Sequence, residues 1–223
     1  PVRVGPSIID MGTGMWSVIG ILTALHNRDK TGRGCEVDAS LFETAMAWMT
    51  VHTALYAASG KKPKRTGTEA AMLAPYKAYR ASDDYIVIAA GNESLFRRLC
   101  EVLGHAEWAG DARFKVNADR VANRVALNDM IEAVIGTEPR AYWADKLDAV
   151  GVPCAPLQSI DEMLAHPQTK ALGMYQQSPD GRFEIMGLPL SFDGARPPFR
   201  LSPPELGEHT DAIFGARKAA EVR

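Results

Sequence analysis

Apolar residues recur at helical spacing near the start of the chain. Met15, Trp16, Val18, Ile19, Ile21, Leu22 and Leu25 fall on the i, i+3, i+4, i+7 pattern, which predicts a helix with one broad buried face. Ile8 and Ile9 lead into Asp10, and the small residues Gly12, Thr13 and Gly14 predict a turn ahead of that helix. Asn27-Arg28-Asp29-Lys30 and Thr31-Gly32-Arg33-Gly34 close it, with cations in the last turn and glycine just beyond. Its uninterrupted apolar run falls well short of the roughly 20 residues that span a bilayer. It follows Asp10 and lacks the cleavage site of a signal peptide.

A second helix, apolar on most of its circumference, is predicted from Leu41, Phe42, Ala45, Met46, Trp48, Met49, Val51, Leu55 and Tyr56. Ser59 to Gly67 (SGKKPKRTG) is the clearest linker. Tyr76 to Arg80 and Tyr85 to Ala89 flank Ser82-Asp83-Asp84 and predict a hairpin. Asn92 is placed to cap the helix ESLFRRLCEVLG; AEWAGDARF reads as loop. Two further amphipathic helices are expected at 117–136 and 139–149, and the texture then changes at Gly151 to an extended, proline-edged run. A short helix at 161–165 and a second hairpin, 174–178 with 182–186, complete the pattern before prolines 197, 198, 203 and 204.

The 223 residues are 46% hydrophobic and 23% charged, an ordinary globular composition sufficient for a sizeable core in one or two domains. A formal charge of −2 gives no electrostatic case for nucleic acid or an anionic membrane. The one basic cluster, Lys61, Lys62, Lys64 and Arg65, reads as a solvated loop. Cys35, Cys100 and Cys154 show no CxxC or Cys/His metal spacing and point to reduced thiols in a cytoplasmic compartment. The five histidines have no metal-ligand spacing either, so no metal site is expected.

Asp10 is the residue with chemistry to weigh. As a helix N-cap it would accept hydrogen bonds from free N–H groups, worth about 1 kcal/mol. As a nucleophile it would form a covalent acyl intermediate. A helix dipole favours the ionised form by only about 0.3–1 kcal/mol, so position against the electrophile decides the matter, and spacing alone leaves both open. Glu208-His209-Thr210 admits acid–base chemistry or, more simply, a helix start. Gly12-Thr13-Gly14 lacks the third glycine of a dinucleotide fingerprint and the lysine of a P-loop.

The run IIDMGTGMWSVIGILTALHNRDKTGRGCEVDASLFETAMAWM resembles the class III CoA-transferases, the CaiB/BaiF (formyl-CoA transferase-like) family. The resemblance continues through LAPYKAYRASDDYIVIAAGNESLFRRLCEVLG, DARFKVNADRVANRVAL, GVPCAPLQSIDEMLAHPQTKALGM and LGEHTDAIF, in the family's order. It implies an α/β fold in which 1–60 and 151–223 are large-domain segments, 61–67 is a linker and 68–150 is an inserted small α+β domain. It implies that Asp10 is the catalytic aspartate, which takes up acyl and then CoA groups while CoA passes from an acyl-CoA thioester to a free carboxylic acid. Acyl-CoA and a small acid are the implied substrates, with no permanently bound cofactor and an interlocked homodimer as the family's assembly. The chain resembles the C-terminal half of family members, so most CoA-binding residues are expected upstream of Pro1.

Within this resemblance the basic cluster at 61–65 acquires an alternative role, contact with a CoA phosphate. Residues 67–75 fall where some relatives carry a glycine-rich gating loop, although no glycine run is present. Two other functions stay open: proton transfer of the 2-methylacyl-CoA racemase type, with a histidine partner upstream, and an inactive fragment or subunit. The turn Met11-Gly12-Thr13-Gly14-Met15 is the more transferase-like of the two enzymatic patterns.

Overall fold

Helix α1 spans Ile8–Thr31 and runs unbroken through Gly12-Thr13-Gly14, where the sequence predicted a turn. Two hydroxyls are absorbed into the helix rather than used to leave it. Thr13 Oγ1 donates to Ile9 O (2.8 Å) and Ser17 Oγ to Thr13 O (2.9 Å). The penalty for glycine inside a helix, about 1 kcal/mol, is offset at Gly12 by close packing on a neighbouring helix.

The structure is a computed structural model and describes residues 4–220. Its chain forms two units, Pro1–Gly67 and Thr68–Arg223. In the first unit, an extended segment after Gly32 leads to α2 (Leu41–Trp48) and α3 (Thr50–Ser59). The single second helix expected from the apolar pattern is thus two helices. The break at Met49 falls where Thr50 turns its hydroxyl back onto Ala47 O, a donor–acceptor pattern that the run of apolar neighbours conceals.

The helices α1 and α2 lie antiparallel. Gly12 meets Thr44 and Trp48, Thr13 Oγ1 hydrogen-bonds Thr44 Oγ1 at 3.0 Å, and Gly20 meets Val37. The broad buried face expected for α1 is not buried in this structure: Gly12 is its one buried residue, and Met15 and Leu22 are 63% and 61% exposed. Helices lying in a single layer bury only the seam between them. At 24 residues, with a mean hydropathy of 1.5 over its most apolar stretch, α1 also meets the length and composition of a membrane span, criteria that average over the small and polar residues interrupting the apolar run. A helix built to lie in a protein interior satisfies the same two criteria.

The second unit is organised on a three-stranded antiparallel sheet, β1 (Tyr76–Arg80), β2 (Tyr85–Ala89) and β3 (Cys154–Pro156), in that order. Tyr76 pairs with Ala89 and Arg80 with Tyr85, the register a short turn enforces; Ile88 pairs with Cys154. The third strand thus lies beyond the change of texture at Gly151, where the sequence pattern placed the end of the small domain.

Helices α4 (Glu93–Val102), α5 (Asn117–Ala122), α6 (Arg124–Ile135) and α7 (Arg140–Ala149) accompany this sheet. Asn92 caps α4, its Oδ1 accepting from Leu95 N–H at 2.8 Å. The expected 117–136 helix breaks at Asn123, and the expected loop at 106–110 contains a 3₁₀ turn. Tyr79, Ile86, Ile88, Phe96, Leu99, Phe114, Leu127, Ile131 and Leu147 form one contiguous core. Helices α8 (Ile160–Ala165) and α9 (Pro167–Leu172), the hairpin β4–β5 (Tyr175–Gln177, Glu184–Met186) and α10 (Thr210–Ala220) follow. A capping box at Ser159 and Glu162 opens α8.

Candidate functional site

Asp10 is the third residue of α1, and Ser7, not Asp10, occupies the N-cap position. The capping role left open by the sequence is therefore not the one it plays. Its side chain is exposed, and among the described residues none donates a hydrogen bond to it. The helix opens with Ile8 N–H on Pro6 O (2.9 Å) and Met11 N–H on Ser7 O (3.0 Å). Among the described residues, the N–H groups of Ile9 and Asp10 between them find no acceptor. Free N–H donors at a helix start, with the helix dipole behind them, are suited to developing negative charge.

The two glycines that follow have different jobs. A Cβ on Gly12 would stand 2.5 Å from Trp48 Cζ2, so this glycine serves packing within the chain. Gly14, one turn past Asp10, would meet nothing within 4 Å. It is Gly14, then, that leaves room for another molecule beside the carboxylate. The Thr13–Thr44 hydrogen bond and the Trp48 contact fix α1 one turn from Asp10; both are contacts between two helices, which the spacing along either one does not reveal.

Farther along α1, Trp16, Asp38, Ser40, Glu43 and Thr44 line a cavity of about 320 Å³. Ser40 caps α2 there, accepting from Glu43 N–H (3.2 Å) and donating to Glu43 Oε2 (2.7 Å). Two carboxylates and a capped helix start give this cavity no cation for an acid or a phosphate, and Asp10 is not part of its wall.

The remaining candidates separate cleanly. Burial pushes the Cys100 thiol up to about 12 and Cys154 up to about 11, in the latter case with Asp148 adding to the effect. Neither is poised as a nucleophile. Among the described residues no group of three or more metal-ligating side chains gathers. Glu208 Oε2 accepts from Glu205 N–H (2.7 Å), and Thr210 begins α10 with its N–H on Gly207 O (3.0 Å). The Glu208-His209-Thr210 triplet thus sits at a helix start.

The segment before β1 is strapped down. Asn117 donates to Met72 O and accepts from Ala74 N–H, while Arg124 donates to Ala70 O, Ala71 O and Glu69. Sequence reasoning also passed over Arg120. Its side chain is fully buried and donates to Ala74 O (2.7 Å), Gly91 O (2.9 Å) and Phe114 O (3.0 Å), with its guanidinium 4.7 Å from the Phe96 ring centre. Its spacing of seven and eleven from Leu127 and Ile131 was the available signal.

The family model described as CoA-transferase family III matches residues 1–210. The chain belongs to CoA-transferase family III. Among curated proteins it is similar to an acetyl-CoA:oxalate CoA-transferase of Acetobacter aceti, 36% identical over 225 residues that cover 100% of this chain and 57% of that protein. It is also similar to the human succinyl-CoA:glutarate CoA-transferase, 30% identical over 96% of this chain and 50% of that protein. Among solved structures, a CaiB/BaiF family protein from Brucella suis superposes with a TM-score of 0.80 at 36% identity, covering 97% of this chain and 57% of its own. This family III chain therefore spans about half the length of the curated relatives it matches, and its mixed helix-and-sheet fold is the family's.

Proposed function

We propose that this chain supplies the covalent carboxylate of a CoA transferase, with Asp10 moving CoA from an acyl-CoA thioester to a free carboxylic acid. The observation that carries the reading is an exposed carboxylate beside two N–H groups without acceptors among the described residues, with open space at Gly14. The Asp10 carboxylate attacks the thioester carbonyl carbon, the C–S bond breaks and the electron pair leaves with the CoA thiolate. The product is a mixed anhydride between Asp10 and the acyl group. The thiolate then attacks the Asp10 carbonyl carbon, giving an aspartyl-CoA thioester and the donor acid as its carboxylate. An acceptor carboxylate attacks that thioester to form a second anhydride, and the expelled thiolate takes the acceptor acyl group and frees Asp10. Each step exchanges one anionic leaving group for another, so no proton need move. The Ile9 and Asp10 N–H groups are the donors we assign to the oxyanion of the Asp10-centred steps.

Membership of the family and similarity to named CoA-transferases support acyl-CoA and a small acid as substrates, and the proposal extends to a homodimer in a cytoplasmic setting. The test is trapping in the full-length protein. After exposure to acyl-CoA, hydroxylamine should convert Asp10 to a hydroxamate detectable by mass spectrometry, and Asp10→Asn should lower turnover by about 10³-fold or more. Full turnover by Asp10→Asn, or acyl-CoA chemistry without a hydroxamate, as a proton-transferring racemase would show, refutes it.

A further inference from the structure

Four cations follow one another in the linker after α3: Lys61, Lys62, Lys64 and Arg65. All four are exposed, and among the described residues none is in an ion pair. In a chain whose formal charge is −2, they concentrate positive charge in one short, extended stretch. Elsewhere the described arginines are mostly committed: Arg120 and Arg124 to carbonyls, Arg140 to Asp83 and Glu162, Arg182 to Asp180 and Glu205.

The first unit places this stretch relative to Asp10. Because α1 and α2 are antiparallel, the Trp48 end of α2 lies against Gly12, within a turn of Asp10. Helix α3 starts two residues later and is ten residues long, about 15 Å at 1.5 Å per residue. Gly60 ends it in the left-handed conformation (φ 64°), and Lys61 follows at once. The basic stretch thus lies in the same unit as Asp10 and is separated from the Asp10 end of α1 by the length of α3 and the short segments at its two ends. A ligand whose reactive sulfur lies at Asp10 and whose phosphates lie at 61–65 must carry a flexible arm between the two. Coenzyme A has this shape: a thiol, a pantetheine arm, and a pyrophosphate with a 3′-phosphate of about −1.5 to −2 charge.

We propose that Lys61, Lys62, Lys64 and Arg65 form an electrostatic docking site for the phosphates of the acyl-CoA used at Asp10. The inference rests on the transferase reading and adds to it the part of the substrate these residues hold. Exposed cations act through field and on-rate rather than through fixed geometry, so their effect is salt-sensitive and falls on binding, not on the chemical step.

The experiment uses the full-length protein and a four-site variant, Lys61→Ala, Lys62→Ala, Lys64→Ala and Arg65→Ala, compared at low and high salt. Free CoA binding is measured by calorimetry alongside steady-state kinetics. At low ionic strength the variant should bind CoA about tenfold more weakly and raise KM for acyl-CoA by a similar factor, with kcat unchanged. The difference should shrink severalfold at 0.5 M salt, where the screening length is about 4 Å. Dephospho-CoA should show a smaller penalty than CoA. Equal CoA affinity in the two proteins while Asp10 is still trapped as a hydroxamate overturns this inference and leaves the transferase reading standing. No CoA binding by the unaltered protein overturns both. Loss of single-stranded DNA binding in the variant with CoA affinity unchanged assigns the cluster to nucleic acid and overturns it as well.

Discussion

Gly12 and Trp48 are in contact so close that a single methyl on the glycine would stand 2.5 Å from the indole Cζ2. That contact joins α1 to the end of α2 within a turn of Asp10. Gly12→Ala gains about 1 kcal/mol of helix propensity and meets an overpacking cost of about 1–3 kcal/mol as α1 or the indole shifts. The net expectation is a modest fall in Tm with a larger loss of kcat, since the shift is delivered to the first turn of α1. Gly14→Ala, with nothing within 4 Å, is the control of opposite sign. It should stabilise by about 0.5–1 kcal/mol yet raise KM for acyl-CoA. Thermal melts and steady-state kinetics on the two variants check both halves, and a Gly14→Ala protein with unchanged KM contradicts the open approach beside Asp10.

How much of this was legible beforehand depends on the range over which each feature is decided. The β1–β2 hairpin was visible because alternation and the Ser82-Asp83-Asp84 turn are local. Strand β3 was not, since three residues containing a proline become a strand only by pairing with Ile86 to Ile88 some 70 positions earlier in the chain, an interaction of the folded state. The apolar face of α1 was readable as a face that needs covering, but periodicity carries no information about what covers it. Asp10 was legible as a residue at the N-terminal end of α1, while the helix start was placed several residues late. The small residues 12–14 that read as a turn are accommodated inside α1, with the Thr13 and Ser17 hydroxyls bonded back to its own carbonyls. Arg120 was hidden by its residue type: arginine is read as surface unless the spacing of its neighbours is weighed against it.

Arg120 fixes three backbone carbonyls that belong to separate segments, Ala74, Gly91 and Phe114. Burial alone would lower its pKa, and Glu93 works against that from 3.6 Å. Arg120→Met retains the volume over Phe96 and leaves the three acceptors without donors. The expected cost is about 3–5 kcal/mol, by analogy with breaking a buried charged network. Arg120→Lys keeps the charge and loses the planar fork, and should fall between the two. Urea unfolding monitored by tryptophan fluorescence checks the order, and an Arg120→Met protein within 1 kcal/mol of the parent contradicts it.

The segment at 67–75 offers a second check on rigidity. Asn117 bonds both Met72 O (2.9 Å) and Ala74 N–H (3.2 Å), so its side chain ties this stretch to α5 from both polar ends. Asn117→Ala removes two hydrogen bonds worth about 0.5–1.5 kcal/mol each. Local opening should rise accordingly, seen as faster amide exchange and limited proteolysis confined to 67–75. A hinged gate would already exchange rapidly in the parent protein and change little.

The sign of the acid response can be derived from Asp83. The Arg140 backbone N–H donates to its Oδ1 (2.9 Å) and the Arg140 Nε to its Oδ2 (3.1 Å), and these bonds, the backbone one foremost, hold its pKa at about 2 against an ordinary 3.8. A carboxyl with a depressed native pKa contributes stability that is present above the unfolded value and lost as pH falls toward the folded one. The contribution of Asp83 is therefore intact at neutral pH and disappears between about pH 4 and pH 2. Asp83→Asn should be less stable than the parent at pH 6, with the two Tm values converging as pH falls through that window. The side chain is partly exposed, so the gap at pH 6 is a few degrees at most and smaller in high salt. Melting curves at pH 6, 4, 3 and 2.5 read it directly, and a gap that widens on acidification has the wrong sign for the Arg140 pairing.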